Sequence, residues 1–182
     1  MFDYFIACLW GFAEATFFFF IPDIYLTRIA LFDVRKALFA CIYAAVSACA
    51  GGAVMYYLAA LYPQQIMHFL AYIPAIFPKL IQQVLQSIQH QAFYALMMAP
   101  LKGIPYKIYA GAFGAANINF GLFMVASFFA RLFRFILITS VGGLLAKLLK
   151  LYWNKRKLVY FHIYVWGLVY LIYFCEEVYY YF

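Results

Sequence analysis

The sequence predicts an all-α polytopic membrane protein, with residues 1–182 forming a single membrane domain. The chain is 70% hydrophobic and only 10% charged, whereas soluble domains are about 45–50% apolar and about 25% charged. Its apolar stretches are long enough to enter or cross a bilayer, and two of them are broken by proline beside charged residues. We therefore expect two inverted re-entrant helical hairpins, each followed by a transmembrane helix, plus an amphipathic helix and a C-terminal transmembrane helix.

The first apolar stretch, residues 4–34, predicts the first re-entrant hairpin. Pro22 interrupts it, because proline removes an amide donor and disfavours helix at the residue before it. Glu14 and Asp23 lie on either side of this break, although an ionised carboxylate at membrane depth costs at least about 2.5 kcal/mol. One tilted, kinked helix is the alternative, but irregular backbone is tolerated where it lines a cavity. We expect the phenylalanines at 17–20 to face lipid.

Residues 36–61 predict a full transmembrane helix in which Gly51 and Gly52 serve close helix packing. The following segment, residues 64–90, is rich in glutamine. Between positions 79 and 90 its apolar residues recur at helical spacing. This pattern predicts an amphipathic helix that lies in the membrane interface or along the wall of a polar cavity.

Residues 92–116 repeat the style of the first stretch and predict the second hairpin. Pro100, Gly103 and Pro105 break the apolar pattern, and Lys102 and Lys107 flank the break. Each lysine could bind a lipid headgroup. The alternative is that both lysines anchor the hairpin at the interface by snorkelling.

The next segment, residues 119–149, predicts a transmembrane helix that carries Arg131 and Arg134. The two arginines are three residues apart and therefore share one helical face. They lie too deep in the segment for easy snorkelling. The last transmembrane helix is expected at residues 158–175. Trp153, Tyr160, Trp166 and Tyr179–Tyr181 are suitable for aromatic belts.

The basic residues give a consistent orientation. If Arg35 and Lys36 are cytoplasmic, the two predicted hairpins place the basic connector at 147–157 on the same side, as the positive-inside rule asks. The chain then contains two units, each a broken hairpin followed by a span, with opposite orientation. Inverted repeats with broken helices that meet near the midplane are typical of secondary transporters.

The charged residues of these units suggest a common site. If the hairpins meet tip to tip, Glu14 and Asp23 face Arg131 and Arg134 across a polar chamber. Carboxylates there could exchange protons, and an arginine could bind phosphate through two hydrogen bonds. Structural ion pairs, Glu14 with Arg131 or Asp23 with Arg134, are the alternative. Asp23 could also cap the short helix that follows it.

Several of these segments resemble one protein family. FAEATFFFFIPDIYL resembles the amino-terminal hairpin of the DedA/VTT superfamily, also described by the SNARE-associated Golgi protein domain. KGIPYKIYAGAFG and FMVASFFARLFRF resemble its second hairpin and following helix, and ACAGGAVMYYLA resembles the glycine-rich helix between them. The resemblance covers residues 12–143. Departures include Phe19 and Ile21 where related sequences commonly carry prolines, and Lys107 near the position of a common arginine.

The resemblance implies a function in lipid movement. Bacterial members resemble carriers of polyprenyl phosphate or phospholipid-like substrates that often depend on proton motive force, and eukaryotic relatives resemble lipid scramblases. The acids of the family carry over onto Glu14 and Asp23, and its basic residues carry over onto Arg131 and Arg134.

We therefore expect a proton-coupled lipid transporter or flippase of the bacterial cytoplasmic membrane. Its expected partners are membrane lipids with an anionic phosphate headgroup, and protons are the expected coupling ion. The sequence allows a homo-oligomer but does not predict one. The alternative is a non-transporting structural or assembly protein that maintains the envelope. We expect no enzyme activity, cofactor or metal, because the sequence shows neither a Ser/His/Asp set nor an HExxH motif. Basic patches interleaved with aromatics are absent from the sequence, which argues against nucleic acid.

Overall fold

A computed structural model describes residues 1–74 and 76–181, with side chains described as far as Cys175. The chain is 84% helical, and the described residues contain no strand, which confirms the all-α class. The described part holds eight helices: α1 (Phe2–Thr16), α2 (Asp23–Ala30), α3 (Val34–Leu61), α4 (Pro63–Ala71), α5 (Pro78–Lys102), α6 (Tyr106–Ala115), α7 (Phe120–Leu149) and α8 (Lys155–Tyr181). The side chains of Tyr179–Tyr181, which the sequence assigns to an aromatic belt, lie outside the described residues.

Three helices are long and apolar enough to cross a membrane. They are α3, α7 and the part of α8 that runs from Lys155 to Cys175, with mean hydropathies of 1.9, 1.9 and 1.7 in their most apolar windows. These helices match the spans predicted at residues 36–61, 119–149 and 158–175. The chain is therefore a membrane protein by helix length and composition.

The first apolar stretch is two helices rather than one kinked rod. The chain leaves helical geometry at Phe17, five residues before Pro22, and α2 begins at Asp23. Within this break, the indole Nε1 of Trp10 donates a 2.8 Å hydrogen bond to the carbonyl oxygen of Phe20. A side chain of α1 thus satisfies a backbone group that the interrupted helix leaves unpaired.

The glutamine-rich segment differs from the single helix predicted at 64–90. It forms α4 and the first part of α5, and α5 continues past the predicted boundary through a kink at Gln91 (φ −150°, ψ 69°). The helical spacing is correct, because Ile81, Val84 and Ile88 are buried while the intervening glutamines are exposed. Pro100 lies inside α5, so the prediction that it belongs to the second break is wrong. The helix ends at Gly103, whose φ of +69° is readily adopted only by a residue without a Cβ.

The two predicted units share one construction. α1 packs against α3 and α5 packs against α7, whereas the short helices also contact the other unit: α2 packs against both α7 and α3, and α6 packs mainly against α3. The first residues of α3 and α7 are each capped by a side chain. Asp33 accepts from the amide of Lys36 (3.0 Å), and Asn119 accepts from the amide of Leu122 (2.9 Å). These contacts place residues of both helix breaks around one cavity.

A charged contact fastens the beginning of α1. Asp3 forms an ion pair with Lys36 of α3 and accepts a 2.7 Å hydrogen bond from the Tyr25 hydroxyl of α2. These two donors, Lys36 more than Tyr25, hold the pKa of Asp3 below its ordinary value. The contact joins three helices close to the predicted entrance of the first hairpin.

Candidate functional site

The two arginines of α7 pair with the acids on either side of the first break. Arg131 Nη2 forms an ion pair with Glu14 Oε2 of α1. Arg134 places Nη2 3.0 Å and Nε 3.2 Å from Asp23 Oδ2 of α2. Because the arginines are one turn apart, a single helix of the second unit holds both ends of the break in the first unit.

The surroundings of Arg131 are aromatic and closed. Its guanidinium carbon lies 5.0 Å from the ring centre of Tyr106 and 4.6 Å from that of Phe135, within range of cation–π attraction. The residue is 2% exposed and Glu14 is 3% exposed. Removal of one partner would therefore leave a charge with little access to water.

Lys107 connects the second break to the first. It is the second residue of α6, is buried, and donates a 2.7 Å hydrogen bond from Nζ to the carbonyl oxygen of Phe18. Lys102 differs, because it is exposed at the end of α5 and does not line the cavity at the breaks. The two lysines that the sequence grouped together therefore occupy different environments.

A cavity of about 240 Å³ lies where the two breaks meet. Its charged lining consists of Glu14, Lys107 and Arg134, so two cations face one carboxylate. The breaks themselves contribute Phe19, Ile21, Gly103 and Pro105 to the wall, and α8 contributes Val169, Tyr170 and Tyr173. Pockets for drug-sized ligands measure about 300–1,000 Å³. This cavity therefore suits a group smaller than a drug-sized ligand, and its charge favours an anion.

The other two predicted site residues lie behind this wall. Neither Asp23 nor Arg131 lines the cavity; Asp23 pairs with Arg134, and Arg131 pairs with Glu14. Asp23 is fully buried and makes no side-chain capping bond to α2, so the capping alternative is wrong. Its Oδ1 atom and the Nε atom of Arg131 have no hydrogen-bond partner within the described residues.

Sequence reasoning missed the contribution of α8. The hydroxyl of Tyr170 accepts a 3.0 Å hydrogen bond from the amide of Ile21, inside the first break. Phe19 also lines the cavity and packs on Tyr170 and Phe174, with ring centres 5.6 and 5.3 Å away, instead of facing lipid. No signal in the sequence marks these aromatics in a chain with 22 phenylalanines and 18 tyrosines.

Comparison of the chain with protein-family models, with curated proteins and with solved structures finds no match. The resemblance to the DedA/VTT superfamily therefore stays a prediction. Within the described residues, no group of three His, Cys, Asp or Glu side chains is placed to hold a metal ion.

Proposed function

We propose that the protein is a proton-coupled transporter or flippase of the DedA/VTT type, which moves a lipid with an anionic phosphate headgroup across the bacterial cytoplasmic membrane. In this proposal, α1–α2 and α5–α6 are re-entrant hairpins that enter the bilayer from opposite sides. One observation carries the proposal: two helix breaks from separate units border one cavity that holds two cations and one carboxylate. Backbone that is irregular at membrane depth is tolerated where it lines such a cavity.

Phosphate recognition is assigned to Arg134 and Lys107, because both line the cavity. A planar guanidinium can donate two hydrogen bonds to a phosphate, and the lysine adds a compact positive charge. The cavity accommodates the headgroup, while the hydrocarbon chains extend between helices into the surrounding lipid.

Proton coupling follows from competition between Glu14 and the phosphate for the cations of the cavity wall. Glu14 is the carboxylate of that wall, together with the cations Lys107 and Arg134. When Glu14 takes up a proton, the wall keeps two cations and loses its anion, so a phosphate can bind there. When the proton leaves, the restored carboxylate repels the phosphate. Arg131 and Asp23 lie behind the wall and position Glu14 and Arg134 through the two ion pairs.

The first prediction separates the two lysines near the second break. We expect Lys107→Met to lower lipid translocation in proteoliposomes about tenfold or more. The substitution removes the proposed charge-assisted hydrogen bond from Lys107 to the phosphate, and such a bond is worth about 1.5–3 kcal/mol. Lys102→Met makes the same substitution at the exposed position and should leave the rate within about twofold. Equal loss in both variants, or in neither, would contradict the assignment of Lys107.

The second prediction concerns the proton gradient. Glu14→Gln keeps the shape of the side chain but removes the exchangeable proton. We expect translocation of a labelled polyprenyl phosphate to rise with an imposed pH difference in the wild type and to be insensitive to it in Glu14→Gln. If the variant keeps the full response, Glu14 is not the coupling group.

A structural or assembly role is the second candidate function, and the two buried ion pairs are the observation that supports it. Buried charges between α7 and both sides of the first break could serve only to fix helix positions. This candidate predicts that purified protein in vesicles moves no lipid and is recovered from membranes with a fixed protein partner. Measurement of both properties on one preparation distinguishes the two functions.

A further inference from the structure

A second cavity lies away from the helix breaks, between α2, α7 and α8. It also measures about 240 Å³, and its wall is apolar except for three side chains, Thr27, His162 and Trp166. The α7 side of the wall includes Val141 and Leu145. Because α7 and α8 are long and apolar enough to span the membrane, we expect this cavity to lie at the depth of lipid hydrocarbon.

The three polar side chains form hydrogen bonds with one another, centred on the hydroxyl of Thr27. Trp166 Nε1 donates to Thr27 Oγ1 at 3.1 Å, and His162 Nε2 lies 2.9 Å from the same oxygen. The Thr27 hydroxyl lies 2.6 Å from the carbonyl oxygen of Asp23, to which it can donate. These contacts tie α8 to α2 and leave the cavity with little capacity to hydrogen-bond a ligand. Its chemistry therefore fits a hydrocarbon chain.

One end of this cavity opens beside the most basic part of the chain. Leu149 and Leu158 both belong to its wall. The residues between them contain no acid and carry four exposed cations: Lys150, Lys155, Arg156 and Lys157. None of these cations forms an ion pair within the described residues. Arg28 of α2, adjacent to Thr27, is exposed as well.

We propose that this cavity and the basic connector form a binding site for one anionic phospholipid. A hydrocarbon chain occupies the cavity, and the phosphate lies among the cations of residues 150–157. Charge complementarity identifies the occupant, because unpaired cations at a helix end attract anionic headgroups and basic pockets between spans bind them. The site is separate from the cavity at the breaks, so the proposal is independent of whether the protein transports lipid.

The site can be tested by titrating the purified full-length chain in detergent with phosphatidylglycerol or with phosphatidylcholine, and counting bound lipids by native mass spectrometry. We expect phosphatidylglycerol to occupy one site at concentrations where phosphatidylcholine does not. The double variant Lys150→Gln/Lys155→Gln should weaken this binding about thirtyfold, from about 1 kcal/mol per charge. Lys150→Arg/Lys155→Arg keeps both charges and should bind as the wild type does.

A second pair of variants tests the cavity itself. Val141 is 50% exposed and lines the cavity, so Val141→Trp should fill it and reduce phosphatidylglycerol binding at least tenfold with all cations intact. Val46→Trp on α3 is the control, because Val46 is 54% exposed and lies outside this wall. If Val141→Trp binds as the wild type does, or if both lipids bind equally, the proposed site is wrong. Melting temperatures without lipid check that each variant is folded.

Discussion

Replacement of Arg131 by methionine is expected to lower the free energy of unfolding by about 3–5 kcal/mol, the usual effect of breaking a buried ion pair. Arg131 is enclosed by Tyr106 and Phe135, and its partner Glu14 is 3% exposed. The substitution leaves this buried carboxylate without its ion-pair partner. Unfolding of the purified protein in mixed detergent micelles measures the change.

Two further variants show whether the pair is structural or functional. The double variant Glu14→Leu/Arg131→Met removes both charges and should recover most of the stability, because apolar residues of similar volume often replace buried ion pairs without loss. We expect it to fold and insert but to lose the response of lipid translocation to an imposed pH difference. A response equal to that of the wild type would show that the pair serves the fold alone and would refute its role in coupling.

An exposed arginine supplies the matched control. Arg35→Met makes the same substitution at the start of α3, where the side chain is exposed and forms no ion pair within the described residues. It should change stability by no more than about 0.5 kcal/mol. A comparable loss in Arg35→Met would mean that the effect at position 131 does not come from burial.

The long apolar helices and the two breaks were predictable because they depend on local properties. Hydropathy over about 20 residues predicts the membrane-spanning helices α3 and α7. Proline or glycine at positions 22, 103 and 105 interrupts helical hydrogen bonding and so predicts the breaks. The start of the first break at Phe17 was not predictable from Pro22 alone. That break is held by Trp10 of the preceding helix and by Tyr170, which is 149 residues away from Ile21 in the chain.

The gathering of opposite charges could also be anticipated, because buried charges require partners. Which group faces the cavity depends on helix rotation and on which long helices α2 and α6 pack against, and a single sequence reveals neither. Hence Glu14 and Arg134 reach the cavity wall while Asp23 and Arg131 do not. No sequence pattern indicated that α8 lines the cavity, because its tyrosines resemble ordinary interfacial aromatic residues.

The close contact between α6 and α3 predicts the second large effect. A Cβ atom on Gly114 would overlap the carbonyl oxygen of Tyr56, which belongs to the backbone of α3. Because backbone cannot rotate away as a side chain can, Gly114→Ala should force the helices apart. We expect a loss of about 3 kcal/mol in the free energy of unfolding, at the upper end of the usual range for overpacking.

Gly167 provides the matched control on α8, since a Cβ there meets no atom within 4 Å. Gly167→Ala should leave stability unchanged or raise it by up to about 1 kcal/mol, because alanine favours helix more than glycine does. In Gly114→Ala, α6 also carries Lys107, so displacement of this helix should lengthen the contact from Lys107 to Phe18 and lower lipid translocation. If Gly114→Ala were as stable and active as Gly167→Ala, close packing of α6 on α3 would not be what holds the two breaks together.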